Sequence, residues 1–133
     1  ADLVPYRRLL PSGPAGVMIG HLDVPGLTNG LPASLSPATY RLLRDGLGFR
    51  GLTITDDLAA MRAITNRYDL PDAVLTALRA GADMALWVST QRIGEILDRL
   101  EAAVQQHQIS IPDLDHSVQR ILAAKGVCAT SPP

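Results

Sequence analysis

The chain has 133 residues and a formal net charge of -1, without the basic excess that binding to nucleic acid or to an anionic membrane surface requires. Hydrophobic residues make up 47% and aromatics only 4%, so the core of one globular unit must be mainly Leu, Ile, Val and Ala, and base stacking on aromatic platforms is excluded. A single cysteine, Cys128, rules out an internal disulfide and a cysteine metal cluster, and no apolar run approaches the length of a membrane span.

The first predicted strand is "GVMIGHL", residues 16–22, an apolar run opened by Gly16. A Pro- and Gly-rich loop, "DVPGLTNGLPAS", follows. Ser36 then stands as a helix N-cap with Pro37 at the first helical position, Leu42, Leu43 and Leu47 on the apolar face and Gly48 at the stop. "GLTITDD", residues 51–57, carries β-branched Thr53, Ile54 and Thr55 and reads as a second strand that ends on two acids. "AAMRAI" and "LPDAVLTALRAG" are helical stretches, the latter with Val74, Leu75 and Leu78 inward and Gly81 as its terminator.

A third strand is predicted in "DMALWV", residues 83–88. Ile93, Ile96, Leu97, Leu100 and Val104 recur at helical spacing and predict an amphipathic outer helix through residue 107. A last helix, from about Ser110 to Lys125, is expected to turn Leu114, Val118, Ile121 and Leu122 inward and to end at Gly126. Residues 1–127 form one partial domain in this reading, and residues 128–133 a disordered tail.

Alternating strands and helices imply right-handed parallel βαβ units, an α/β architecture with helices covering the strands. Three such strands make an incomplete sheet. Its unpaired edges lead us to expect more chain on the amino side or a partner that pairs with the first strand.

In parallel α/β proteins the ligand site lies at the carboxyl ends of the strands. His21 and Asp56 fall at two of these ends, with Trp87 and Ser89 at the third. A carboxylate there can attack an anomeric carbon to form a covalent glycosyl intermediate. Two adjacent acids can also hold Mg²⁺ for phosphoryl chemistry, and Asp57 alone is better read as the cap of the following helix.

The stretch "LPASLSPATYRLLRDGLGFRGLTITDDLAAMRAI" resembles the catalytic barrel of glycoside hydrolase family 3, in its bacterial β-N-acetylglucosaminidase branch. "PASLS", "LLRDGLGFRGL" and "TDD" carry the resemblance in combination, and it extends through "LPDAVLTALRAGADMALWV" to "DHSVQRILAAKG". It implies that the chain is the C-terminal portion, strands six to eight, of a TIM (β/α)₈ barrel. It further implies a retaining β-N-acetylhexosaminidase acting on terminal β-linked N-acetylglucosamine through a covalent glycosyl-Asp intermediate, with Asp56 as nucleophile. His21 and Met18, on the sixth strand, would line the sugar pocket.

In that branch a methionine follows the acids after two residues, whereas "DDLAAM" places Met61 one position later; a one-residue shift would exchange the roles of Asp56 and Asp57, and the preceding "GLTIT" strand favours Asp56. The branch's sugar-gripping residues and its acid/base histidine lie on earlier strands that this sequence lacks. A chain without the proton donor forfeits about 10²–10⁴ in rate, so these 133 residues are expected to be inactive by themselves.

Other residues read as structural. Trp87 beside Leu86 and Val88 is packing, His107 and His116 are solvated helix positions, and the scattered arginines are solvated faces rather than a phosphate track. No metal-ligand spacing and no Gly-rich phosphate loop occurs, so neither a metal nor a cofactor is expected. Two alternatives stand beside the glycosidase: a Mg²⁺-dependent phosphotransfer domain around Asp56 and Asp57, and a non-catalytic half-barrel that pairs with a partner chain or with itself. The compartment stays open between cytoplasm and cell envelope, as does the choice between peptidoglycan fragments and other hexosamines.

Overall fold

Three short apolar runs become three parallel strands: β1 (Val17–Ile19), β2 (Thr53–Asp57) and β3 (Met84–Leu86), in the spatial order β1-β2-β3. The computed structural model describes residues 2–10 and 15–127. Between the strands lie α1 (Val4–Leu9) before β1, and α2 (Pro37–Arg41), which runs on into a π turn over Leu42–Gly46. After β2 come α3 (Arg62–Thr65) and α4 (Leu70–Ala80), and after β3 come α5 (Ile93–Gln105) and α6 (Ile111–Ala124).

The pairing register decides which side chains face the helices. Val17 pairs with Thr53 and Ile19 with Thr55, and all four are buried against the helical layer. There they meet Leu35, Tyr40, Leu43, Ile64, Val74 and Ile96 in one continuous core. Ala73 and Ala77, fully buried, carry no bulk beyond Cβ, which lets α4 lie close to the layer beneath it. Met18 pairs with Ile54, and Ile54 with Met84, so this row points to the opposite face; Met18 is 58% exposed there.

The β2–β3 pairing is irregular. Ile54 aligns with Met84 but Asp57 with Leu86, so β2 carries one extra residue, a bulge between Ile54 and Asp57. Threonine hydroxyls fill the interrupted ladder: Thr55 Oγ1 accepts from the Leu86 amide (2.9 Å) and Thr53 Oγ1 from the Asp83 amide (3.1 Å). The Leu58 amide then closes onto the Leu86 carbonyl (2.9 Å).

At the amino ends of the strands Asp83 is the polar hub. Its buried carboxylate accepts from Arg44 (2.8 Å), Arg120 (2.7 Å), Ser117 (3.0 Å) and the Thr53 amide (2.8 Å). A charge taken out of water is tolerated only when paired and fully hydrogen-bonded, and here two guanidinium groups do both.

Several expected features take a different form. Ser36 occupies the N-cap position of α2 but its side chain makes no capping bond, and it is buried instead. Asp57 does not cap a helix: its Oδ1 accepts from the Ala59 amide (2.9 Å) in a tight turn, and α3 begins only at Arg62. Ser110 does cap α6, accepting from the Asp113 amide. Val118 of α6 is 50% exposed and that helix buries no residue, because among the described residues only part of the stripe that periodicity turns inward meets a partner: Leu114 packs against Leu75, Ala103 and Ile109 while Val118 does not. Ile93 and Leu97 of α5 face outward for the same reason. The predicted tail, with Cys128, lies outside the described residues.

Candidate functional site at the carboxyl ends of the strands

The bulge ends β2 so that both acids stand clear of the helical core: Asp56 and Asp57 are half-buried, whereas Thr53 and Thr55 are fully enclosed. The Asp57 amide donates to Asp56 Oδ1 (2.8 Å), which fixes that carboxylate through one oxygen. Asp57 spends its own Oδ1 on the Ala59 amide, so the adjacent acids are held differently from the start.

Beside them, on the end of β1, is His21. It is buried at 6% exposure, with Nδ1 2.7 Å from Ser34 Oγ and Nε2 3.0 Å from the Asp57 carbonyl oxygen. The turn that carries Ser34, a short 3₁₀ segment at Ala33–Leu35, is pinned to the strand by Ala33 N–H to the Leu22 carbonyl and Ser34 N–H to the Gly20 carbonyl. Tyr40 donates its hydroxyl to the Ser34 carbonyl (2.8 Å), and burial, reinforced by Asp83, pushes the Tyr40 phenol far above its usual range.

The loop after β1 is shaped by Asp23, whose carboxylate accepts from Thr28 Oγ1 (2.7 Å) and the Gly30 amide (3.2 Å). Arg67 reaches across to the Gly30 carbonyl (2.6 Å) and ties this loop to the α3–α4 connection. After β3, Trp87 packs against the core and Ser89 accepts from the Gln91 amide, so neither is a free sugar platform. A shallow pocket of about 290 Å³, lined by Leu58, Ala59, Tyr68, Ser89 and Arg92, opens beside the acid turn. Its rim arginine, Arg92, bonds both oxygens of Asp69 (2.8 and 2.7 Å) and holds that carboxyl below its usual range.

Two larger concavities, of about 550 and 860 Å³, lie at the other end of the sheet, around Gly48–Leu52 and around Gly81–Ala82 with Arg120. The larger is lined by Asp45, Asp113 and Ser117 among others, but both lie away from the carboxyl ends of the strands, where a parallel α/β layer carries its chemistry. We therefore take the carboxyl ends of the strands, around Asp56, as the candidate site. The structure brings Asp56, Asp57 and His21 together, and sets Met18 on the open sheet face in register with Ile54. Among the described residues no cluster of His, Cys, Asp or Glu could hold a metal ion, and no helix is long and apolar enough to cross a membrane.

Sequence reasoning did not single out Ser34, Asp83 or Arg120, and it read Arg44 as part of a solvated helix face, whereas the Arg44 guanidinium is largely enclosed and pairs with the buried Asp83 carboxylate. Ser34 lies within the quoted "PASLS", and Asp83 is an acid heading an apolar strand, which is the one signal that could have marked it.

A parallel α/β layer with carboxylates at the strand carboxyl ends is the arrangement in which TIM-barrel enzymes carry their sites. The chain belongs to glycosyl hydrolase family 3: the model of the family's N-terminal domain matches residues 1–124. It is 49% identical over 130 residues to the beta-hexosaminidase LpqI of Mycobacterium tuberculosis, covering 94% of this chain and 34% of that relative. A crystal structure of a family 3 glycosyl hydrolase from Mycobacterium smegmatis superposes with a TM-score of 0.90 at 53% identity, over 92% of this chain and 40% of that one. A family 3 β-N-acetylglucosaminidase from Paenibacillus superposes with a TM-score of 0.86 at 36% identity, over 95% and 24%. The chain thus spans about a third of the length of the curated relative it matches at 49% identity.

Proposed function

We propose that the chain is the closing portion, strands six to eight, of a (β/α)₈ barrel in a retaining β-N-acetylhexosaminidase that removes terminal β-linked N-acetylglucosamine, with Asp56 as its nucleophile. The observation that carries this is the Asp56 carboxylate at the end of β2, held through Oδ1 by the Asp57 amide and standing clear of the helical core.

In this reading Oδ2 attacks the anomeric carbon as the glycosidic bond breaks, and a proton from an acid outside these residues neutralises the leaving oxygen. Water then cleaves the glycosyl-Asp ester. Met18 forms part of the pocket wall; it lies on the face that a closed barrel would turn inward. His21 belongs to the same site, through its bond to Asp57.

The Mg²⁺ alternative is not favoured, because Asp57 Oδ1 is engaged in its own turn rather than presented beside Asp56. The isolated 133 residues are expected to leave an aryl β-N-acetylglucosaminide uncleaved. In the complete enzyme, Asp56→Ala should lower kcat/KM on the order of 10⁴-fold and abolish covalent trapping by a fluorinated sugar. Labelling that persists in Asp56→Ala, or that maps to Asp57, would remove Asp56 from the role.

A further inference from the structure

His21 is buried with both ring nitrogens committed inside the chain, at 2.7 Å to Ser34 Oγ and 3.0 Å to the Asp57 carbonyl oxygen. A carbonyl oxygen can only accept, so Nε2 carries the hydrogen. In the neutral ring Nδ1 is then an acceptor, and the Ser34 hydroxyl donates to it. Ser34 is fully buried, and its backbone is clamped on both sides, by N–H to the Gly20 carbonyl and by its carbonyl to the Tyr40 hydroxyl. The orientation of the imidazole is therefore imposed from β1 and the 3₁₀ turn.

That imidazole acts on the acids through backbone. Its Nε2–H holds the carbonyl of Asp57, and the amide of the same residue holds Asp56 Oδ1 at 2.8 Å. The strand ladder does not fix this segment alone, because the bulge between Ile54 and Asp57 interrupts regular pairing with β3. A side chain from the neighbouring strand supplies the constraint that the bulge removes.

We propose that His21 is a positioning residue for the Asp56 carboxylate: with its ring held by Ser34 and its Nε2–H on the Asp57 carbonyl, it fixes the Asp57 backbone and so aims Asp56 at the anomeric carbon. It touches neither sugar nor leaving group. The assignment rests on Asp56 being the nucleophile.

The test uses the complete enzyme and an aryl β-N-acetylglucosaminide, with a fluorinated sugar as trapping agent. His21→Gln retains an N–H near the Nε2 position, whereas His21→Asn keeps only a polar group near the Nδ1 position, facing Ser34 and too short to reach the Asp57 carbonyl. His21→Asn should lower kcat about 10–10²-fold, with KM within about 3-fold of wild type and trapping slowed in parallel, since a small misplacement of a reacting group costs this much. His21→Gln should recover kcat to within about 5-fold of wild type, at a melting temperature similar to that of His21→Asn.

A higher KM at unchanged kcat would make His21 a direct sugar ligand and overturn the proposal. So would equal losses in both variants. Peptide mapping of the trapped wild-type enzyme separates the two claims: label on a residue other than Asp56 sinks the nucleophile assignment, while label on Asp56 with wild-type trapping by His21→Asn sinks only the positioning role.

Discussion

Arg120, near the end of the last helix, donates its Nε to Asp83 Oδ1 at 2.7 Å, and Asp83 stands immediately before the third strand. This contact, with Ser117 beside it at 3.0 Å, is the polar attachment of a helix that buries no residue of its own. Leu114 adds an apolar contact to the small cluster of Leu75, Ala103 and Ile109. Removing the guanidinium should therefore loosen α6 selectively. In Arg120→Ala we expect faster amide hydrogen exchange across Ile111–Ala124, with protection of Leu70–Ala80 little changed. Uniform loss across both helices would show that α6 is not a separately attached unit.

Asp83 itself should matter more. Asp83→Asn keeps the shape but leaves the Arg44 and Arg120 guanidinium groups facing a neutral amide, and Thr53 without its carboxylate acceptor. Breaking a buried pair from one side costs about 3–5 kcal/mol. Urea denaturation should show a lower midpoint at an unchanged slope, the product of shift and slope matching that loss, and a change below about 1 kcal/mol would mean that water replaces the lost partner.

Tyr40 gives a pH-dependent signature. Its folded-state pKa is raised by burial, then by Asp83, above the ordinary tyrosine value. The neutral phenol's contribution is fully present below about pH 10 and declines above it, because the unfolded chain loses its proton there and the folded chain resists. Tyr40→Phe should cost about 1 kcal/mol at pH 7 for the bond to the Ser34 carbonyl. Above pH 10 the gap to wild type should close, as read from urea midpoints in both buffers; a gap that widens would contradict the sign.

Gly51 is a steric requirement. A Cβ there would sit 2.7 Å from the Ala15 carbonyl oxygen and 2.6 Å from the Phe49 ring, and the first is backbone that cannot swing away. Gly51→Ala should destabilise by about 1–3 kcal/mol, the usual range for an overpacked site. Thermal unfolding within error of wild type would show that the entry to β2 can shift.

Most elements were legible because glycines bracket them and their apolar periods are clean. Gly81 ends α4 with a φ of 121° beside Tyr40, and Pro37 and Pro71 open their helices where periodicity placed them. Strand lengths were less legible: "GVMIGHL" yields only Val17–Ile19, because Gly20 and His21 leave the ladder to receive the 3₁₀ turn. The direction of α6 failed at Val118, since a stripe of apolar residues declares that a partner is wanted and not whether one is present.

Residue order alone was enough to place two acids at the end of a β-branched strand, to imply a parallel α/β layer, and to suggest which acid does chemistry. Those inferences use local information, namely spacing, turn residues and a motif read in line. Only the tertiary structure decided how the acids differ: a one-residue bulge turns both out of the core, the Asp57 amide holds Asp56, and Asp57 closes its own turn. It also moved His21 from an open strand end to a buried bridge between Ser34 and the Asp57 backbone. Those partners lie 13 and 36 residues away, and hydrogen bonds across such separations depend on register and packing that a linear reading cannot resolve.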